Sequence, residues 1–323
     1  MKAKEDLLIR AAELYYQQNL NQNTIAEILC ASRATVSRLL EEARESGIVE
    51  IIIHSPVKKN AELSKRLRME FKLKDAIVIS NAYSYEEALK KCGEAASRFL
   101  HSVLENNMSL GITWGTPMNY LVNALEAYDY YNINVIQMVG CLGTGNPRLD
   151  GLEMAINFSK KLNGTYSNIY APAFVESDVV HKYLLSETQI SATLKKALST
   201  DVIITGIGSI YDENSTLQLA GYLNETERQL LLSRGCVGHM LARMFDINGR
   251  EMSLDNKYVI SAPLESLKVP KWCIGIAAYA KKVKPVFAAI KSGYINTLVT
   301  DENLAEALLE FKVQGALSGD ISR

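Results

Sequence analysis

Apolar residues in the first 46 positions recur at helical spacing. Leu7, Ala11, Leu14 and Tyr15 mark one helix face. Asn19 and Asn21 interrupt it, and Ile25, Ile28 and Leu29 begin a second set. Ser32 is placed to open a third helix, with Val36, Leu39, Leu40 and Ala43 on one face and Gly47 at its end. Residues 48–53 are a β-branched run between turn residues and predict a short strand. A further helix is predicted over residues 60–74. It carries Leu63, Leu67 and Phe71 on one face, and Lys65, Arg66, Arg68, Lys72 and Lys74 against Glu62 and Glu70. It reads as a basic linker whose apolar face docks on either neighbouring domain or on another subunit.

From Asp75 the rhythm changes. Short apolar β-type runs occur at 76–79, 109–113, 134–139, 202–207, 272–277 and 297–300. Helical stretches separate them, among them 86–104, 152–162, 192–198 and 303–311. Strand–helix alternation of this kind predicts a mostly parallel sheet with helices on both faces. Such sheets bind ligands at the carboxyl ends of their strands, near a switch in strand order. The expected division is a winged helix-turn-helix over 1–55, the basic helical linker over 56–74, and a large α/β domain over 75–323.

The segment Gln22–Glu41, QNTIAEILCASRATVSRLLE, has helix-turn-helix spacing. Ala26 is the small residue at the crossing; Ile25, Leu29, Val36 and Leu39 lock the pair. Ser32 caps the second helix. That helix presents Arg33, Ala34, Thr35, Ser37 and Arg38, side chains a DNA major groove accepts. Gln22, Asn23 and Thr24 start the preceding helix, where amides and backbone N–H groups hold phosphate. Cys30 occupies the turn position usually given to glycine.

Three glycine loops follow predicted strands: Gly111-Ile-Thr113-Trp-Gly115-Thr116-Pro-Met118, Gly140-Cys141-Leu-Gly143-Thr-Gly145-Asn146, and Gly206-Ile-Gly208-Ser209. Together they predict a small-molecule pocket, with glycine allowing close approach and a helix start suited to an anion. They form neither a dinucleotide fingerprint nor a nucleotide-phosphate loop. Asp246 either holds sugar hydroxyls or serves the turn before Asn248-Gly249. Lys281, Lys282 and Lys284 either bind an anion or open a solvated helix, and His239 is a further candidate near the pocket. No paired-carboxylate, GxSxG or HExxH motif is present, so no catalytic residue, metal site or cofactor is expected.

Composition narrows the class. The chain has 323 residues, 48% hydrophobic and 22% charged, enough for a sizeable core. A net charge of −1 excludes a bulk polycation, although residues 1–74 hold 13 Lys/Arg against 10 Asp/Glu. The five cysteines are widely spread without a CxxC pair, and predict reduced thiols in a cytoplasmic protein. Neither a signal peptide nor a membrane span is expected: the longest uncharged stretch, 106–125, is broken by glycine, proline and asparagine.

The order of these motifs resembles the SorC-type sugar-responsive transcriptional regulators. The residues carrying the resemblance are 11–51, DVIITGIGS (201–209), GCVGHMLARMFDINGRE (235–251) and INTLVTDENLAEALL (295–309). The resemblance implies operator DNA as one partner and a sugar or phosphosugar effector as the other. It also implies a homo-oligomer, dimer or tetramer, and an effector domain related to sugar-phosphate isomerases. Carried over, the phosphate-holding turn falls on Gly115 and Thr116, with Thr113 on the strand before them. The facing loop falls on Cys141 to Gly143, the GIG loop on Gly206 to Gly208, the FD aspartate on Asp246, and the lysine on Lys282. Here GCLG stands for the family's glycine pair, and Gly235-Cys-Val-Gly-His239 for GAVGD. The related deaminases carry Asp-Gly-His after this turn; here Ser209-Ile-Tyr211 follows, which implies sensing without turnover. Two other readings stay open: a sugar-phosphate isomerase or deaminase with an appended DNA-binding domain, and an adaptor whose helices pair with protein.

Overall fold

The first apolar stripe forms α1 (Lys2–Ala12), which runs on through a wider π-type turn, Glu13–Gln17. The computed structural model describes residues 2–49, 57–80, 82–141, 143, 145, 150–212 and 215–318. The chain divides into two units, Met1–Pro56 and Val57–Arg323.

In the first unit, α2 (Gln22–Ile28) and α3 (Arg33–Glu45) follow α1. Leu8, Ala11, Leu14, Ile25, Val36, Leu39, Leu40 and Ala43 form one core, with Ala26 at the crossing. The Ser32 hydroxyl accepts the Thr35 N–H at 3.1 Å and so caps α3. The unit closes with Gly47 at φ +73°, and Val49 N–H donates to the Ala43 carbonyl at 2.9 Å. Residues 48 and 49 therefore finish the helix. The rest of the strand expected over 48–53, and with it the wing, lies outside the described residues.

The second unit starts earlier than the sequence predicts. The supposed linker is α4 (Ala61–Phe71), and it belongs to this unit. Leu63 and Leu67 are buried in the same core as Leu298 and Leu304. The Asn60 amide donates to Glu302 at 2.8 Å. Of the docking surfaces the sequence leaves open for this apolar stripe, it is the second unit that buries it.

Thirteen strands follow among the described residues. Seven make the main sheet: β1 (Asp75–Ile79), β2 (Ser109–Ile112), β3 (Asn134–Gln137), β4 (Thr165–Ser167), β6 (Val202–Gly206), β12 (Trp272–Ile276) and β13 (Thr297–Asp301). Their order is β1-β13-β12-β6-β2-β3-β4, and every pairing is parallel. An antiparallel sheet, β10-β9-β8-β7, combines β7 (Gly208–Ser209), β8 (Cys236–Met240), β9 (Arg243–Asp246) and β10 (Glu251–Met252). A two-stranded ribbon pairs β5 (Phe174–Val175) with β11 (Tyr258–Val259).

Helices cover both faces of the main sheet. On one side α5 (Tyr85–Val103), α6 (Thr116–Ala124) and α7 (Gly151–Lys161) contribute Leu89, Met118 and Met154. On the other, α4, α12 (Val283–Lys291) and α13 (Glu302–Ser318) contribute Leu67, Val286 and Leu304. Val202 and Ile204 face the first core and Ile203 the second. Burial on both faces is why these strands read as unbroken apolar runs.

Cys30 carries φ +49° in the turn between α2 and α3. A side chain in this left-handed region costs about 1 kcal/mol that glycine avoids. Cys30→Gly is expected to stabilise the first unit by up to about 1 kcal/mol, measured by chemical denaturation; a destabilised variant would contradict the assigned turn geometry.

Candidate functional site

The turn and the two caps fix how α3 is presented. Ser32, Arg33, Ala34, Ser37 and Arg38 are exposed and Thr35 half-buried. The Ser32 hydroxyl is engaged with Thr35, whose own hydroxyl lies 2.9 Å away. Neither arginine forms an ion pair among the described residues. At the start of α2, Asn21 accepts the backbone N–H groups of Asn23 and Thr24 at 3.0 and 3.1 Å. Those two N–H groups are therefore taken by the cap, and the Thr24 hydroxyl also donates to Asn21 at 3.3 Å. Tyr15, Tyr16 and Asn19 border the same groove as Gln22, Asn23 and Arg33. Tyr15, which sequence spacing places on the core face, does pack against the core of this unit, and so does Tyr16, to which it gives no role; the two rings lie 4.9 Å apart edge to face beside the groove.

In the second unit, the chain runs from β2 outward to β3 and β4, then returns to the other side of β2 at β6. The order reverses between β2 and β6, and such a switch point leaves a crevice at the carboxyl ends of the strands. Thr113, Gly115, Thr205, Gly206, Gly208, Thr216, His239 and Lys282 line that cleft.

Each wall has a local cause. Gly115 takes φ +114° and caps α6 without a side chain, so no cap oxygen covers the first turn of the helix. Thr113 and Thr205 meet across the reversal with hydroxyls 3.3 Å apart. The Trp114 indole closes one wall by donating to the Gly140 carbonyl at 2.8 Å. Gly208 pairs with His239 between β7 and β8. A Cβ on Gly208 would lie 2.0 Å from His239 Nε2, so only glycine admits the imidazole here.

Lys282 donates to the Ile207 carbonyl at 3.0 Å. Burial lowers its pKa to about 8, with Asp212 opposing the shift. Burial, assisted by Lys282, lowers His239 to about 4, so the imidazole is neutral at pH 7. The cleft thus offers threonine hydroxyls, an ammonium, a neutral imidazole and an uncovered helix start. No carboxylate is among its described lining residues.

Five of the nine expected effector residues meet here: Thr113, Gly115, Gly206, Gly208 and Lys282. Thr116 is half-buried as the first residue of α6, outside the cleft lining. Asp246 is elsewhere. It ends β9, and its carboxylate accepts the N–H groups of Asn248 and Arg250 at 2.8 and 2.9 Å, which makes it the turn residue of the β9–β10 hairpin. Cys141 and Gly143 also fall outside the cleft lining. The Cys141 carbonyl accepts the Tyr222 hydroxyl at 3.1 Å, and Gly143 N–H donates to Asp150 at 2.9 Å. Thr205 and Thr216 were missed, because a threonine at a strand end or helix start carries no motif. No cluster of metal-ligating side chains occurs among the described residues.

The depressed His239 pKa has a consequence for stability. An imidazole free to protonate near 6.5 when unfolded, but only near 4 when folded, stabilises the fold fully above pH 6.5. That contribution, on the order of 3 kcal/mol, is lost as pH falls from 6.5 to 4. His239→Gln is expected to flatten this part of the melting-temperature profile; an unchanged slope would show that His239 is not its source.

The match to known proteins covers most of the chain. Residues 55–310 match the family described as "Putative sugar-binding domain". The chain is 27% identical over 310 residues to the deoxyribonucleoside regulator of Bacillus subtilis, covering 95% of this chain and 98% of that protein. It is 30% identical to the transcriptional regulator LsrR of Escherichia coli O9:H4, covering 95% of both. The crystal structure of the full-length sorbitol operon regulator SorC from Klebsiella pneumoniae superimposes with a TM-score of 0.73 at 28% identity, covering 94% of this chain and 98% of that one. With this domain over most of its length and these relatives end to end, the chain belongs to the SorC-type family of transcriptional regulators.

Proposed function

We propose that this protein binds operator DNA through α2 and α3 and regulates a carbohydrate transport or catabolic operon, under control of a sugar or sugar phosphate held in the β2–β6 cleft. The observation that carries the reading is the pairing, in one chain, of an exposed reading helix with a switch-point cleft rich in hydroxyls and cationic at Lys282. The names of two relatives, a sorbitol operon regulator and the transcriptional regulator LsrR, support it. Control is by population shift: the effector favours one arrangement of the subunits and changes how well the reading helices fit the operator. The protein acts in the cytoplasm as a dimer or tetramer on a repeated or palindromic site, because one short reading helix gives little affinity alone. No helix among the described residues is long and apolar enough to cross a membrane. It needs no cofactor and is not an enzyme. Ser209-Ile-Tyr211 follows Gly208 where the related deaminases carry Asp-Gly-His, which supports sensing without turnover.

Gel shifts on the promoter DNA of its own gene test this reading. Arg38→Ala should weaken operator binding roughly tenfold or more. Lys282→Gln should leave DNA binding intact and blunt the effector response. Absence of DNA binding at low salt would overturn the proposal. The effector's affinity should also follow the Lys282 proton. An anion beside the ammonium raises its pKa, so binding takes up a proton once pH exceeds about 8. Calorimetry should find a phosphorylated effector bound roughly tenfold more weakly at pH 9 than at pH 7, and Lys282→Gln should abolish that dependence.

A further inference from the structure

The boundary at Pro56 changes where the positive charge resides. Residues 1–56, the DNA-reading unit, hold six Lys/Arg against eight Asp/Glu. A unit of net charge −2 is poorly furnished to hold a polyanion. Residues 57–74 hold seven Lys/Arg against two Asp/Glu. The basic segment is not a tether but α4 and its flanks, folded onto the sensor sheet.

The packing sorts those charges. Leu63 and Leu67 turn inward, while Lys58, Lys59, Lys65, Arg66, Arg68 and Lys72 are exposed. None of the six pairs with an acid among the described residues. Of the two acids on the helix, Glu70 is engaged by Lys312 at 3.0 Å, and Glu62 stands exposed in the first turn. Lys59, Ser64, Lys65 and Arg68 line one groove beside the edge strand β1, with Asp75 at its end. The Asp75 carboxylate accepts the Ala76 N–H at 2.8 Å. The rest of the sensor is acidic, with 22 Lys/Arg against 26 Asp/Glu in 75–323, so the strip is a local exception.

We propose that the exposed face of α4, with Lys58 and Lys59, is a second DNA-contacting surface. It holds the phosphate backbone and supplies the counter-charge that the reading unit lacks. The inference rests on the DNA-binding function proposed above. The strip also follows the reading unit closely along the chain: only residues 50–56, seven positions, join Val49 to Val57. The surface reads charge and spacing, not sequence, so it contributes affinity rather than specificity.

The test is a salt titration of binding by the full-length protein to the promoter duplex of its own gene, and to a random duplex of equal length. The triple variant Lys65→Gln/Arg66→Gln/Arg68→Gln alters exposed positions only. It should weaken binding to both duplexes by roughly tenfold or more and flatten the log–log salt slope by about 2 to 3 per engaged subunit. A control of equal charge change, Lys90→Gln/Lys160→Gln/Lys195→Gln, should leave both near the original values. The inference is overturned if the α4 variant keeps its affinity and slope while Arg38→Ala loses operator binding. It is equally overturned if the control triple loses as much. If the unsubstituted protein binds neither duplex, the proposed function fails and this surface with it.

Discussion

The reversal of strand order between β2 and β6 is the constraint from which the sensor's layout follows. In a parallel sheet each crossover must return on one hand, so strands added to either side of β2 send their helices to opposite faces. At the join neither helix covers the strand ends. The chain then supplies what a crevice needs: a glycine cap at 115, facing threonines at 113 and 205, and Lys282 from the next strand outward. The antiparallel sheet β7–β10 starts at the same place, at Gly208, and brings His239 back over the opening. Fold and cleft are thus one consequence of topology.

Burial within that cleft sets its chemistry. Lys282 and His239 share a poorly solvated space, and each proton there is costly. The result is one ammonium poised near neutral pH and one imidazole held uncharged. An anionic ligand would favour the charged form of the first, whereas a neutral polyol could only exchange hydrogen bonds with the hydroxyls, the ammonium and the imidazole. A ligand's charge as well as its shape would therefore decide how it fits the proposed site.

Much of this was legible in the residues. The six strands predicted after Asp75 lie within two residues of those observed, because strands buried on both faces leave long apolar runs between turn signals. The reading helix was legible through Ser32 and the Val36, Leu39, Leu40 and Ala43 stripe. The two-residue strands β5, β7, β10 and β11 left no periodicity to find, and β8, buried at all five positions, shows no alternation. Asp246 shows the limit of motif reasoning: the same Asp before Asn-Gly can hold a ligand or close a hairpin, and only its hydrogen bonds decide. Residues 60–74 were correctly seen as an amphipathic helix, yet periodicity gives the stripe and not the surface that covers it.

The two units also differ in how far apart their partners lie along the chain. The first is closed by contacts within its first 49 residues. The sensor sheet begins with β1, whose neighbouring strand in the sheet is β13, joining Asp75 to Thr297. A growing polypeptide can therefore complete its DNA-reading head from local contacts early in synthesis. The sensor cannot close its sheet edge until nearly the whole chain has left the ribosome. For most of its time on the ribosome, the nascent regulator is a finished reader without a finished sensor.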